Sequence, residues 1–309
     1  MITTNKFQAL LGKAVSYFIL LSCLAILMIY LVQRFGGDYA EQKIKEQLER
    51  SGLAPFVHYE NIHLDPFTLT PSLENVIVGD QSAPWLRFAR ISLNNYLINY
   101  PNLSVDFWIQ ESPINSLSRD TGRLMRAAGI DTLLGKGSFS SNVDGESVTS
   151  QFKLDIKDLG KLTVASHINL LDQAIDMADL RADILASLAL GQPEALAIIY
   201  GDTIELNSLN VQYQDTGLFT HLFPHSTMSQ DSQNSHLTGL KFASQAFGLA
   251  PADSSEADHI AKTVLTFLNN PNQLSLSMSP SPAISLKKLT LLSNEGSLYQ
   301  DTTMRIAND

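Results

Sequence analysis

Residues 147–170, SVTSQFKLDIKDLGKLTVASHINL, carry the clearest structural pattern in the chain. Apolar and polar side chains alternate through two runs, 148–156 and 162–170, and Asp158-Leu159-Gly160 lies between them. A period of two places one side of a strand in a core and the other side in solvent. Two such runs joined by a short glycine-containing turn predict a β-hairpin. The hairpin therefore predicts antiparallel sheet as the base of the fold.

The same period of two recurs on both sides of this hairpin and predicts further strands. These runs lie at 57–64, 86–93, 103–109, 204–213 and 274–278. The alternation in the fourth run slips once near Ser208, which predicts a β-bulge there.

Other stretches have the period of a helix, and these are 116–128, 179–190 and 255–268. The last one begins with a sequence that resembles a capping box, Ser255-Glu256-Ala257-Asp258, and stops at Asn269-Asn270-Pro271. The apolar run 195–200 fits either a helix or a buried strand, and the polar residues 227–235 predict a loop. Together these patterns predict an α+β domain, with helices packed on one face of an antiparallel sheet.

An uncharged segment near the N-terminus predicts a membrane anchor. Residues 14–32, AVSYFILLSCLAILMIYLV, would extend about 28 Å as a helix, close to the ~30 Å hydrocarbon core of a bilayer. Lys6 and Lys13 precede the segment, so the positive-inside bias places the N-terminus in the cytoplasm. Two alternatives are a cleaved signal peptide and a lipoprotein signal that uses Leu20-Leu21-Ser22-Cys23.

This topology predicts the domain organisation and the location of the chain. We expect a cytoplasmic N-terminus (1–13), a transmembrane signal anchor (14–33), a juxtamembrane helix (38–53) and a periplasmic α+β domain (54–309) of a bacterial inner-membrane protein. The domain is either one unit or two subdomains, 54–115 and 116–309. Tyr39, Ile44 and Leu48 lie on one side of the juxtamembrane helix, which fits both a solvated stalk and a helix docked on the domain.

Charge and cysteine content exclude several classes of function. From Asp38 onward the chain has 31 acidic and 18 basic residues, a balance of −13, and the full chain has a net charge of −10. A domain this acidic repels nucleic acid, so we expect no nucleic-acid partner. The single cysteine, Cys23, permits neither an intrachain disulfide nor a cysteine-based metal site.

Motifs for catalysis are weak or missing in the sequence. Leu134-Gly135-Lys136-Gly137-Ser138 departs from a phosphate-binding loop, because Gly137 stands where Ser or Thr would bind magnesium. His221 and His225 have metal-ligand spacing, but Pro224 breaks the helix that would place both on one face. There is no G-x-S-x-G elbow. We therefore expect a protein that is not an enzyme and that has no catalytic, metal or cofactor site.

Aromatic residues in the first group of strands are candidates for a ligand site. Trp85, Phe88, Phe107 and Trp108 would line an apolar groove for acyl chains. Ordinary packing in the core is the alternative role for these side chains.

Several segments give the chain a resemblance to AsmA-like envelope proteins. An N-terminal anchor followed by Tyr59–Phe67 (YENIHLDPF) and Leu73–Val78 (LENVIV) resembles the opening of that family. Val211–Leu218 (VQYQDTGL) and Phe267–Pro271 (FLNNP) are similar to uncharacterised bacterial periplasmic proteins. The resemblance implies lipid traffic or outer-membrane assembly in Gram-negative bacteria, and a β-groove shorter than those typical of the family. It transfers no catalytic residue.

Two functions follow as expectations. The first is a non-catalytic, membrane-tethered periplasmic protein that supports envelope biogenesis or organisation through contacts with envelope proteins. The alternative is a periplasmic lipid-binding or lipid-transfer module, with phospholipid held in an apolar groove between sheet and helices.

Overall fold

The computed structural model describes 34–94, 101–172, 174–189, 192, 194–222 and 230–308, together with 22, 24, 27, 28, 30 and 32. Most of the segment expected to form an anchor, 14–33, lies outside these residues. A search of the described part of the chain found no helix with the length and apolar character needed to cross a bilayer.

The described strands form one antiparallel sheet, which is the base of an α+β fold. Its order is β1-β3-β4-β5-β6-β7-β8-β9-β10-β12, with β2 also paired to β3 and β11 to β9. The strands are β1 (Val57–His58), β2 (Asn61–Asp65), β3 (Thr70–Asp80), β4 (Ala83–Leu93), β5 (Leu103–Pro113), β6 (Thr132–Asp144), β7 (Ser147–Ile156), β8 (Gly160–Leu170), β9 (Ile204–Asp215), β10 (Gln273–Met278), β11 (Ile284–Ser285) and β12 (Arg305–Asn308).

The predicted hairpin is confirmed as β7 and β8, which pair from Ser147 opposite Asn169 to Ile156 opposite Gly160. The predicted bulge is confirmed as well. Ile168 of β8 pairs with Leu206 and His167 pairs with Ser208, so Asn207 is the extra residue in β9. The bulge keeps apolar residues on one face of β9 despite the slip in sequence phase.

Helices connect or precede the strands. They are α1 (34–50), α2 (Arg119–Ala127), α3 (Met177–Ala189), α4 (Glu194–Tyr200), α5 (Leu218–Leu222), α6 (Gln230–Ala246), α7 (Ser255–Asn269), α8 (Leu286–Glu295) and α9 (Leu298–Asp301), with a 3-10 turn at Ile114–Ser116. The predicted helices near 116–128, 179–190 and 255–268 are confirmed, and the run 195–200 is a helix. The loop predicted for 227–235 is wrong over 230–235, which begins α6.

The two faces of the sheet differ sharply in polarity. Residues directly opposite each other in an antiparallel ladder share a face. Thus Val148 and Ile168 lie on one face, while Thr149 and His167 lie on the other. This division continues through the neighbouring strands, so one face of the sheet is mainly apolar, with a row of serines at Ser141, Ser150 and Ser166.

Helices pack against the apolar face. Met125 of α2 joins a buried cluster with Ile109 of β5. Leu180 of α3 joins a second cluster with Val148 of β7, in which Leu180 is 2% exposed. These contacts place helices over both ends of the central strands.

Helix α1 docks on the first strands of the sheet. Ile44 packs in a cluster with Leu73 and Val76, and Ala40 is fully buried. Tyr39, expected on the same side as Ile44, is instead 52% exposed. The buried side of α1 is therefore set by Ala40 and Ile44, which are one helical repeat apart.

The sheet is continuous across the alternative boundary between 115 and 116. β5 and β6, which flank that boundary, pair from Leu103 opposite Ser141 to Pro113 opposite Thr132. A division at this point would separate two neighbouring strands of one sheet.

Candidate functional site

One row of apolar side chains crosses the apolar face roughly at right angles to the strands. Each member lies directly opposite the next in the ladder. The row contains Leu93, Val105, Phe139, Phe152, Val164, Val211, Leu276 and Ile306. The row therefore extends from β4 to β12, although its members are far apart in the sequence.

The middle of this row is the part that the helices cover least. Five consecutive members are half-buried, and in the described residues none of them belongs to a buried cluster or packs against one. We call these five residues the trough: Val105, Phe139, Phe152, Val164 and Val211. With strands spaced by ~4.8 Å, the trough is about 19 Å long.

Strand β7 shows how the flanking helices leave the trough between them. At one end of β7, Ile156 packs against the cluster that contains Met125 of α2. At the other end, Val148 belongs to the cluster that contains Leu180 of α3. Phe152 lies four residues from each, about 13 Å along the strand. The helices thus form two sides of the trough, and the sheet forms its floor.

Aromatic rings continue the trough towards β4. The rings of Phe107 and Phe152 are stacked with centroids 6.2 Å apart, and Phe88 meets Phe107 edge-on at 5.7 Å. Gly137 lies directly opposite Phe107, and a Cβ atom at this position would clash with the Phe107 ring and with the backbone oxygen of Lys153. Gly137 therefore makes room for the Phe107 ring above β6, a role unrelated to phosphate binding.

The structure brings together two of the four aromatic residues expected to line a groove. Phe88 and Phe107 share the apolar face. Trp108 projects from the opposite face, because consecutive residues of a strand alternate in direction, and it is 40% exposed beside the guanidinium of Arg90, 5.7 Å from the ring centre. Trp85 is 48% exposed and stacks on Phe56, with centroids 5.6 Å apart.

The residues of the trough itself did not stand out as site residues in the sequence. Phe139 and Phe152 are isolated aromatics in polar surroundings, and the three valines fit any strand. Their alternation identifies a buried face, but only the pairing register shows that they adjoin.

Tyr213 lies on the same face beside the trough, two residues after Val211 in β9. The single proton of the Tyr213 hydroxyl is shared between the backbone oxygen of Leu159 (2.8 Å) and Oδ1 of Asp215 (2.9 Å). Burial raises the pKa of the Tyr213 phenol well above its usual value, and the bond to Asp215 raises it further. The protonated hydroxyl therefore joins the turn between β7 and β8 to the end of β9.

The other sequence motifs gain no chemistry from the fold. Leu134–Ser138 lies inside β6, in the middle of the sheet. His221 is an exposed residue of α5, and His225 lies outside the described residues. Among the residues that the structure describes, no three or more His, Cys, Asp or Glu side chains are grouped so as to hold a metal ion.

Comparisons with known proteins add a family assignment. A comparison with curated proteins found no match. A family model described as "Uncharacterized protein" matches residues 153–308, from the second half of β7 to β12. The match covers just over half of the 309 residues. The chain therefore belongs to this family of uncharacterized proteins.

Proposed function

We propose that this chain is a non-catalytic, membrane-tethered protein of the bacterial envelope whose trough binds the acyl chain of a phospholipid. The trough carries this proposal, since it is a continuous row of apolar side chains that the flanking helices leave partly accessible. Contiguous apolar surface that stays accessible in a folded protein is typical of a ligand-binding groove.

The dimensions of the trough fit an acyl chain. A bilayer core of ~30 Å corresponds to about 15 Å for the acyl region of one leaflet, which is shorter than the trough at about 19 Å. The trough residues are valine and phenylalanine, with no hydrogen-bonding side chain among them. Such a surface selects for hydrocarbon and leaves the headgroup unrecognised.

The tether is the second part of the proposal and rests on the sequence of 14–32. An anchor there would hold the acidic domain at the periplasmic face of the inner membrane, where phospholipid is abundant. The proposal thus combines an apolar binding surface with a nearby source of its ligand.

Site-specific photo-crosslinking in living cells tests the trough. Phe152 is replaced in the full chain by p-benzoylphenylalanine, and irradiated protein is purified and examined by mass spectrometry for phospholipid adducts. Trp108, an aromatic residue on the opposite face, receives the same replacement as the matched control. We expect adducts at Phe152 and none at Trp108. Equal yields at the two positions, or no adduct at Phe152, would contradict lipid binding in the trough.

Contact with other envelope proteins is a second candidate, supported by a separate observation. Helices α3 and α4 expose Leu185 (52%), Ile198 (83%) and Ile199 (58%). Exposed aliphatic side chains on adjoining helices fit a protein partner better than solvent. The same photoreactive residue at Ile198 should then give a discrete protein adduct on denaturing gels, and a smear or no adduct would count against this role.

A further inference from the structure

The turn between β2 and β3 presents an aromatic side chain to the surroundings. Phe67 is 81% exposed at this turn. Oδ1 of Asp65 accepts a hydrogen bond from the Phe67 backbone N–H at 2.9 Å, and this bond is the largest contribution to a lowered Asp65 pKa. Leu69 adopts a positive φ of 52°, which is unusual for a leucine. The turn is thus a defined structure that holds Phe67 outward.

The same end of the sheet meets the first turn of α1. A Cβ atom on Gly36 would clash with the Leu64 side chain, so α1 lies directly on β2 at this point. Leu64 is 1% exposed, while Phe35 is 65% exposed. Because Phe35 adjoins Gly36 and Phe67 follows Leu64 by three residues, both phenylalanines lie near this contact between α1 and β2.

The chain reaches this end of the molecule straight from its apolar segment. Only Gln33 and Arg34 separate the uncharged residues 14–32 from Phe35. Phenylalanine on a membrane-bound surface inserts at the boundary between headgroups and acyl chains, and a basic residue at the end of a span reaches the headgroups. Residues 14–32 therefore indicate a lipid surface as the partner of Phe67.

We propose that Phe67, together with Phe35, inserts into the interface of the bilayer that holds the chain. This inference rests on the proposed tether and adds an orientation to it. Leu64 pairs with Pro71, and the next residue, Ser72, pairs with Ser92, which directly precedes Leu93 in β4. The contact would therefore turn the Leu93 end of the apolar row, and with it the Val105 end of the trough, towards the membrane.

Depth-dependent quenching on the full chain tests this contact. In a Cys23→Ser background, Phe67→Cys is labelled with the fluorophore NBD, and the protein is reconstituted into phosphatidylethanolamine and phosphatidylglycerol vesicles with or without a nitroxide lipid labelled near the headgroup. Phe247→Cys is the matched control, because Phe247 is 72% exposed and adjoins Gly248, which packs on α8. Both substitutions replace exposed side chains, so the fold should be retained.

We expect the label at Phe67 to be quenched severalfold more strongly than the label at Phe247, and its emission to shift to the blue on reconstitution. Equal quenching in protein that floats with the vesicles would overturn the insertion of Phe67 and leave the tether intact. Protein that fails to float with the vesicles would overturn the tether, and the insertion would fall with it.

Discussion

Two phenylalanines at the centre of the trough provide the sharpest test of lipid binding. We predict that Phe139→Ser with Phe152→Ser weakens acyl-chain binding, because it removes the two largest apolar side chains that a ligand would cover. Serine already occupies the adjacent row on the same strands, as Ser141 and Ser150, so the sheet accommodates it. Because the buried part of each ring also packs in the sheet, the double variant loses stability as well, and its circular dichroism spectrum must match that of the unmodified chain before binding is compared.

The size of the effect follows from the exposed surface of these rings. At the intermediate burial of Phe139 and Phe152, roughly a quarter of the ~200 Å² of a phenylalanine is exposed, and a ligand would cover about 50 Å² of each ring. At ~25 cal/mol per Å², each ring contributes about 1.2 kcal/mol to binding, and both contribute about 2.5 kcal/mol. This corresponds to a dissociation constant about 70-fold higher.

The assay is a fluorescence titration of the full chain, held in amphipol, with cis-parinaric acid. Trp108→Ser is the control for loss of an aromatic residue from the opposite face, and the pair Phe139→Leu with Phe152→Leu keeps the trough apolar. Both controls should bind within a few-fold of the unmodified chain. An unchanged dissociation constant in the double serine variant, or an equal loss in Trp108→Ser, would refute the assignment of the trough as the binding surface.

Three further predictions concern stability. Gly137→Ala should lower the free energy of unfolding by about 1–3 kcal/mol, because the added Cβ atom has no space. Gly239→Ala in α6, where nothing lies near the added Cβ atom, should instead raise the free energy of unfolding by up to ~1 kcal/mol. Urea titration measures both changes. Leu180→Ala should cost about 2–5 kcal/mol in the same assay, since Leu180 is 2% exposed in a buried cluster. Burial and a 2.6 Å hydrogen bond to Asp183 raise the pKa of Tyr200 to about 12. The Tyr200 phenol therefore ionises at lower pH in the unfolded chain than in the folded chain, and the free energy of unfolding should fall between about pH 10 and pH 12. Tyr200→Phe should make that fall shallower, and an unchanged slope would contradict the assignment.

Much of the sheet is predictable from local alternation, whereas the trough is not. A period of two shows that Phe152 and Val164 lie on buried sides of adjacent strands, because only a short turn joins β7 to β8. Val105 and Val211 enter the same row through connections that contain helices, and no local pattern gives their register.

The face of the sheet from which Trp108 projects can be predicted from the sequence. Phe107 belongs to an alternating apolar series, so its neighbour Trp108 must project from the polar face. The prediction that both residues line one groove rests on their aromatic character alone, whereas strand geometry places them on opposite faces of the sheet. The wrong loop prediction for 230–235 has a different cause, since this segment has no apolar residue and is helical as the start of the longer helix α6.

The family match covers only part of the trough. The matched region, 153–308, contains Val164 and Val211 but begins one residue after Phe152 and excludes Val105 and Phe139. In the ladder, Phe152 pairs directly with Val164, so the aromatic half of the trough and the aliphatic half form one surface. A lipid lying along the row would contact both halves at once. The proposed function is therefore a property of the whole sheet, and the part of the chain before residue 153 supplies its largest apolar contacts.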